Sequence, residues 1–424
     1  MITSARSYTL PLLFSVCCLC APRAGTSAVF LIGIDGADSV LTAELVKAGR
    51  MPNLAGLIKN GALGELYTFS PRPLSSPVIW TSMVTGKSVS KHGITAFTKP
   101  NREGWFQSGD RKAPALWNMV SSLKKTVAVT GFLITYPAEA VNGIMVSNNY
   151  AVSIDTQHVT WPPEFFETSR NYTFRKSNGL KEAAAIAGYS STELLSFSPP
   201  IDSFASENFQ QHYIFEKLVA YARSDNNLAL LNEELLKKDK FDLFITYFPG
   251  IDQVSHMAWG RYEAAKTGAA VAFGDLVPSY YAQADKLIGI LLARTEKNDT
   301  IIVVSDHGFQ LSAGATSTSV ITGDHRQGGI FVAKGPDIKR GIRLKKPIID
   351  WDIAPTVLQL MGLPLARDFD GKNVDEMLTK KRLSSGPEKY IDSYQLMPST
   401  GTAQDIPLMQ QEMMERLKLS GYVQ

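Results

Sequence analysis

Five apolar runs bounded by turn residues restrict the folds that this chain of 424 residues can adopt. Because their apolar residues do not alternate with polar ones, each run predicts a β-strand that is buried on both faces. Helical periodicity between the runs predicts a mostly parallel sheet with helices on both faces, which is a three-layer α/β fold. The runs are AVFLIGIDG (28–36), TVAVTGF (126–132), FDLFITYF (241–248), TIIVVSD (300–306) and GGIFVAKG (328–335).

Changes in composition divide the chain into a leader, one domain and a tail. Residues 1–27 are typical of a signal peptide, since Arg6 precedes an apolar core of about 13 residues, fewer than the roughly 20 that a membrane span needs. We expect residues 28–380 to form one α/β domain, with an insertion at about 150–210 that lies over the sheet as a cap. Residues 381–424 are a polar tail, in which QQEMMERLKL predicts a surface helix.

Cysteine content and net charge exclude several kinds of site. Cys17, Cys18 and Cys20 all lie in the leader, so its removal would leave neither disulfide bonds nor thiolate-bound zinc. The leader predicts an extracytoplasmic protein, and a chain without disulfide bonds fits a periplasmic location at least as well as a secreted one. Leader removal also takes away two arginines and no acid, which leaves 41 basic and 40 acidic residues. Such a balanced chain lacks the basic surface that a nucleic-acid duplex requires.

Acidic residues and histidines recur where the predicted strands end or begin. Asp35 follows the first strand, Asp252 and His256 the third, Asp306 and His307 the fourth, and His325 precedes the last. Open α/β sheets bind ligands at the carboxyl ends of their strands, so this edge is the predicted site. The spacing of four residues between Asp252 and His256 places both side chains on one face of a helix.

Each of these residues also has a structural explanation. In this explanation, Asp35 caps the following helix and His325 is an ordinary loop residue. Asp252 and His256 are explained by a surface pair. Their joint occurrence at one edge of the sheet favours a metal site instead. Two sets of oxygen and nitrogen ligands suit Zn²⁺ best, with Mn²⁺ or iron as alternatives.

A candidate nucleophile lies in the segment SSPVIWTSMVTG. Ser75 and Ser76 precede Pro77 at the predicted start of a short helix, where partial positive charge and free N–H groups would favour a deprotonated hydroxyl and a phosphoryl group. A serine hydroxyl is a poor nucleophile at neutral pH, but coordination to zinc would activate it. The alternative is that Ser76 only caps the helix.

Eight sequence motifs occur in order along most of the chain. They are IGIDGAD, AGRMPNLAGLIKNGALG, SSPVIWTSMVTGKSVSKHGI, DQVSH, SDHG and DHRQGGIFVAKGP, followed by DIAPTVLQLMGLP and DFDG. In these motifs the chain resembles the type I phosphodiesterase and nucleotide pyrophosphatase family of the alkaline phosphatase superfamily. The resemblance implies an alkaline phosphatase-like fold and a metal-dependent phosphoester hydrolase that acts on small phosphodiesters or pyrophosphates.

The resemblance also implies a role for each residue at the strand ends. Two Zn²⁺ ions would clamp the phosphoryl group while Ser76 attacks it in line, and hydroxide from the opposite zinc would release the covalent phospho-enzyme. One zinc would be bound by Asp252, His256 and His325. The other would be bound by Asp35, Asp306, His307 and the Ser76 oxygen.

Four positions depart from or qualify the family pattern. Eukaryotic members have threonine as nucleophile and, three residues later, an asparagine that donates to the phosphoryl oxygen, where this chain has Ser76 and Ile79. Arg326 is the candidate replacement for the missing donor in substrate binding, with a salt-bridged surface arginine as the alternative. His92 matches a recurrent His-Gly pair, and we expect it to be structural.

Three other functions compete with a phosphodiesterase. A phosphate monoesterase would need further positive donors, and Arg326 is the candidate. A sulfatase would need an arginine where Ile79 stands. An inactive binding protein is disfavoured because the ligands and the nucleophile are intact.

Overall fold

The computed structural model describes residues 27–100, 104–148, 150, 156–173, 179–197, 207–315, 319–386 and 389–396. Its strands are β1 (Val29–Ile34), β2 (Ala62–Tyr67), β3 (Val127–Thr130), β4 (Gly143–Val146), β5 (Thr160–Trp161), β6 (Leu243–Phe248), β7 (Thr300–Val304), β8 (Gly308–Leu311), β9 (Gly323–Arg326), β10 (Gly329–Lys334), β11 (Ile342–Arg343), β12 (Ile348–Ile349), β13 (Leu365–Ala366) and β14 (Tyr390–Ile391). The leader (residue 27 excepted) and the predicted C-terminal surface helix lie outside the described residues.

The α-helices surround the main sheet. They are α1 (Ser39–Lys47), α2 (Pro52–Lys59), α3 (Ser76–Thr85), α4 (Val89–His92), α5 (Leu116–Ser122), α6 (Phe165–Thr173), α7 (Leu180–Ala187), α8 (Ser191–Leu195), α9 (Glu207–Lys238), α10 (Gly250–Lys266), α11 (Leu276–Leu292), α12 (Ile353–Leu360) and α13 (Lys380–Ser385). Within the described part of the chain, none of them is both long and apolar enough to cross a membrane.

The five predicted strands form the centre of a ten-stranded sheet. Its order is β11-β2-β10-β7-β1-β6-β3-β4-β5, with β12 also paired to β2. β1 runs parallel to both β6 and β7, and β3 runs parallel to β6 and β4. β10 is antiparallel to both of its neighbours. The predicted mostly parallel sheet is therefore confirmed, and its apolar runs occupy the positions that helices cover on both sides.

Two hydrophobic cores flank the sheet, as expected of three layers. Phe30, Ile32 and Ile34 of β1 face the core beneath α1, α2, α9, α10 and α11. Val29 and Leu31 alternate with them and face the core beneath α3, α5 and α12. This division of one strand between two cores explains why its sequence is continuously apolar.

The segment at 150–210 contains more regular structure than its sequence indicated. α6, α7 and α8 lie within it, and α9 begins inside its predicted boundary. α6 and α7 pack against α9, so this part of the insertion adds an outer layer to one face of the domain. Its function as a cap over the site stays a prediction, as do the domain boundaries. In the tail, β14 pairs with β13.

His92 is a buried structural residue, in agreement with the sequence-based expectation. Its Nε2 lies 3.0 Å from Ser82 Oγ, and its Nδ1 accepts a hydrogen bond from the Ile94 N–H at 3.1 Å. Burial, followed by the nearby charge of Arg111, lowers the pKa of His92 to about 4. The ring is therefore neutral in the folded protein at pH values where an exposed histidine would already be protonated.

We expect His92 to make the fold less stable in acid. As pH falls from about 6.5 to 4, His92 takes up a proton in the unfolded chain but not in the folded protein. The free energy of unfolding should therefore decrease by about 3 kcal/mol. Urea unfolding of wild type and His92→Gln across this range measures it. The stability advantage of the wild type over the variant should shrink by that amount, and a constant difference would contradict the assignment.

Candidate metal centre

The metal-site candidates converge because the strands that precede them are neighbours. The Asp35 N–H donates to Phe248 O, and the Asp252 N–H donates to Asp35 O at 3.1 Å, so the ends of β1 and β6 are tied together. A side chain at Gly36 would come within 2.9 Å of the Asp252 backbone, and Gly36 has a φ of 71°. The glycine after Asp35 is therefore required by this close approach.

His325 reaches the same edge by a different route. It lies in β9, directly before β10, and β10 runs antiparallel to β7. The start of β10 therefore lies beside the ends of the parallel strands. In β9, His325 is buried while Arg326 points to the opposite side, as strand alternation requires.

The structure brings all seven predicted site residues together. Ligand atoms of Asp35, Asp306 and His307 lie within 4.8 Å of one another, as do those of Asp252, His307 and His325. His307 thus belongs to both groups by distance, whereas the family resemblance assigns it to only one. The three residues predicted to bind the other zinc, Asp252, His256 and His325, also lie close together. His256 Nε2 is 2.9 Å from His325 Nε2 and 3.3 Å from Asp252 Oδ1.

The three histidines all present the same nitrogen to the cluster. The Nδ1 atoms of His256, His307 and His325 lie 2.9–3.1 Å from backbone carbonyl oxygens. A carbonyl can only accept, so each Nδ1 carries a proton and each Nε2 is the nitrogen that faces the cluster. Metal-binding histidines are held in this way.

The three carboxylates also divide their oxygens between protein donors and the cluster. Asp306 Oδ1 accepts from the Gly36 N–H at 3.2 Å, and Asp252 Oδ2 accepts from Gln253 Nε2 at 3.0 Å. Asp35 Oδ2 accepts from Trp80 Nε1 at 3.1 Å and from the Tyr247 hydroxyl. Asp306 Oδ2 is buried and accepts no hydrogen bond from any described residue. Such an orphaned buried oxygen fits a metal ligand.

The electrostatics of the site favour a cation. Burial, followed by the charge of Asp35, raises the pKa of Asp306 well above its ordinary value. Burial alone would lower the pKa of His307, but Asp306 and Asp35 raise it to about 10. Burial alone would raise the pKa of Asp252, but His256 and His325 hold it well below its usual range. Buried carboxylates and imidazole nitrogens gathered in one cluster suit a divalent metal ion such as zinc.

Ser76 lies beside this donor set. Its Oγ is 3.3 Å from His307 Nε2 and 3.4 Å from Asp35 Oδ1. Ser75, rather than Ser76, is the N-cap of α3, and its side chain makes no capping hydrogen bond. The alternative that Ser76 only caps the helix is therefore wrong.

The expected free N–H groups at the start of α3 are largely absent. Pro77 has none, and the N–H groups of Val78 and Ile79 both donate to Ser75 O. These three positions therefore offer an incoming phosphoryl group the helix dipole but no N–H donor.

Arg326 forms a salt bridge, which was the structural alternative to substrate binding. Its Nη2 lies 2.5 Å from Oδ2 of buried Asp38, and its Nε donates to Phe309 O at 2.8 Å. Asp38 also caps α1 by accepting from the N–H groups of Val40 and Leu41. The structure therefore favours a structural role for Arg326 over substrate binding.

Trp80 and Tyr247 contact the site, and sequence reasoning missed them. Both are fully buried, and in sequence they have the appearance of ordinary core aromatic residues. The signal that was available for Trp80 is its position one helical turn after Ser76, on the same face of α3.

Fold and site together define a three-layer α/β protein with a buried cluster of aspartate and histidine side chains that suits a metal ion. The family model described as type I phosphodiesterase / nucleotide pyrophosphatase matches residues 29–332, which is more than half of the chain. The chain belongs to this family.

Individual relatives are more distant. Human ectonucleotide pyrophosphatase/phosphodiesterase 5 has a similar structure, with a TM-score of 0.50 and 14% identity over 83% of this chain and all of that one. The 2,3-bisphosphoglycerate-independent phosphoglycerate mutase of Clostridium kluyveri is 29% identical over 33% of this chain and 24% of its own length. That of Clostridium tetani is 30% identical over 33% and 25%, so the chain spans about a quarter of these curated relatives.

Proposed function

We propose that this protein hydrolyses phosphodiester or pyrophosphate bonds in small molecules, with Ser76 as the nucleophile and two zinc ions as cofactors. The observation that carries the proposal is the position of Ser76 Oγ, within 3.4 Å of a ligand atom of Asp35 and of His307. One zinc would be held by Asp35, Asp306 and His307 with the Ser76 oxygen. The other would be held by Asp252, His256 and His325.

Zinc would supply Lewis-acid charge that makes Ser76 easier to deprotonate and stabilises charge on the phosphoryl oxygens. The Ser76 oxygen then forms a bond to phosphorus as the leaving oxygen departs with its electron pair. Water subsequently attacks phosphorus, the bond to the Ser76 oxygen breaks, and the free serine is restored. Asp35, Asp306 and His307 are buried, so bulk water does not compete with the zinc ion that these side chains would hold.

A diester is a better substrate for this site than a monoester. A phosphate monoester carries a second ionised oxygen and needs a further cationic donor. Arg326, the candidate for that role, is engaged by Asp38 and Phe309 O. We expect faster hydrolysis of bis-p-nitrophenyl phosphate than of p-nitrophenyl phosphate by one preparation, and the reverse order would support a monoesterase.

Removal of metal is the direct test of the proposed cofactor. Chelation should abolish hydrolysis of bis-p-nitrophenyl phosphate, and two zinc ions per chain should restore it, because each is needed to hold the phosphoryl group. Metal content is measured beside the rate, with Mn²⁺ and Fe²⁺ as comparison ions. Full activity after complete metal loss would overturn the proposal.

The proposal includes an extracytoplasmic location, supported by the leader-like residues 1–27 and by the lack of cysteine after them. We also propose that the segment at about 150–210 helps to select the small-molecule substrate.

A further inference from the structure

Asp35 differs from the other two carboxylates in what binds its second oxygen. Asp306 and Asp252 each receive one N–H donor at that oxygen. Asp35 Oδ2 receives two donors from buried side chains, Trp80 Nε1 and the Tyr247 hydroxyl. Its other oxygen, Oδ1, lies 3.2 Å from His307 Nε2 and 3.4 Å from Ser76 Oγ.

We propose that Trp80 and Tyr247 are positioning residues that restrict Asp35 to a single ligand oxygen and thereby set the metal affinity of the half of the site that contains Ser76. The inference rests on the proposed function and concerns the same site. Two donors on Oδ2 fix the orientation of the carboxylate, so that Oδ1 faces His307 and Ser76. A carboxylate freed from them can rotate or bind a metal through both oxygens, which changes the coordination that Ser76 must share.

The two donors are held rigidly. The rings of Trp80 and Tyr247 meet edge to face, with centroids 5.2 Å apart, and both pack on Phe132. Gly33 of β1 leaves space for the indole, since a Cβ there would lie 2.8 Å from the Trp80 ring. Neither donor can turn away from Asp35 without displacing this packing.

Tyr247 can act on Asp35 only as a donor. An ionised carboxylate has no proton to give, so the Tyr247 hydroxyl donates and Asp35 Oδ2 accepts.

Tyr247→Phe tests the inference, with Tyr280→Phe as the matched control. Tyr280 is also buried, and its hydroxyl also donates to a buried carboxylate, Asp225 Oδ2 at 3.0 Å, but Asp225 lies outside the metal-ligand groups. Metal-free full-length chains are titrated with zinc against a chromophoric chelator, which resolves the two binding steps. The absorption spectrum of the cobalt-substituted chain reports the coordination.

Tyr247→Phe should weaken one zinc-binding step by about 10- to 100-fold, leave the other unchanged and alter the cobalt spectrum. Trp80→Phe should weaken the same step, and Tyr280→Phe should weaken neither. The inference would be overturned if Tyr247→Phe bound both zinc ions with wild-type affinity, bound one of them more tightly, or lost equal affinity in both steps. A lower melting temperature of the variant would not change this conclusion. A wild-type chain that binds no zinc would instead defeat the proposed function.

Discussion

Ser76→Ala should lower turnover of a phosphodiester by about a thousandfold or more, because the substitution removes the attacking oxygen itself. The side chain is buried, and its Oγ lies within 3.4 Å of Asp35 Oδ1 and His307 Nε2. The measurement is the steady-state rate with bis-p-nitrophenyl phosphate at full zinc occupancy. Rapid-quench detection of phosphoserine should give a signal in wild type and none in the variant.

Ser75→Ala is the matched control for Ser76→Ala. Ser75 is the adjacent residue, and it supports α3 through its backbone carbonyl, which accepts from Val78 and Ile79. Its side chain makes no capping hydrogen bond, so its removal should leave turnover close to the wild-type value. Wild-type turnover in Ser76→Ala, or equal losses in both variants, would contradict a nucleophilic Ser76.

The centre of the fold was predictable because covered parallel strands must be apolar throughout. The edge of the sheet was not. β2 alternates buried and half-buried residues, and β5, β11 and β12 have two residues each, too few to show a pattern. The antiparallel direction of β10 has no sequence signal either, because an apolar run buried on both faces has the same composition in both orientations.

The candidate ligands were predictable because aspartate and histidine are conspicuous at the end of an apolar strand. For Arg326 the sequence left substrate binding and a salt bridge open, because β9 was not recognised as a strand. Successive side chains of a strand point to opposite faces, so Arg326 points away from the cluster that His325 faces. Trp80 and Tyr247 were missed because an aromatic residue within an apolar segment predicts burial and packing. The sequence does not show which hydrogen bond such a side chain makes.

Asp306→Asn should abolish activity while it stabilises the metal-free protein. The substitution keeps the size of the side chain but replaces a ligand carboxylate, and we expect zinc affinity and turnover to fall by at least about a hundredfold. In the metal-free fold, Asp306 Oδ2 is buried without a hydrogen bond, and burial and the charge of Asp35 raise the pKa of Asp306. His307 Nε2 lies 3.4 Å from Oδ2, but its attraction does not outweigh burial and the charge of Asp35, so ionised Asp306 opposes folding above pH 4. Its removal should raise the free energy of unfolding by about 1–3 kcal/mol at pH 8.

Asp252→Asn is the matched comparison, with the opposite sign expected for stability. His256 and His325 overcome the effect of burial and hold the pKa of Asp252 well below its ordinary value, so its ionised form stabilises the metal-free fold. Both variants should lose zinc, but in urea unfolding at pH 8 with chelator only Asp306→Asn should be more stable than wild type. Such a pair of opposite signs would show that Asp306 is retained for binding a cation at the expense of stability. A destabilised Asp306→Asn, or one that binds two zinc ions with wild-type affinity, would contradict this account of the site.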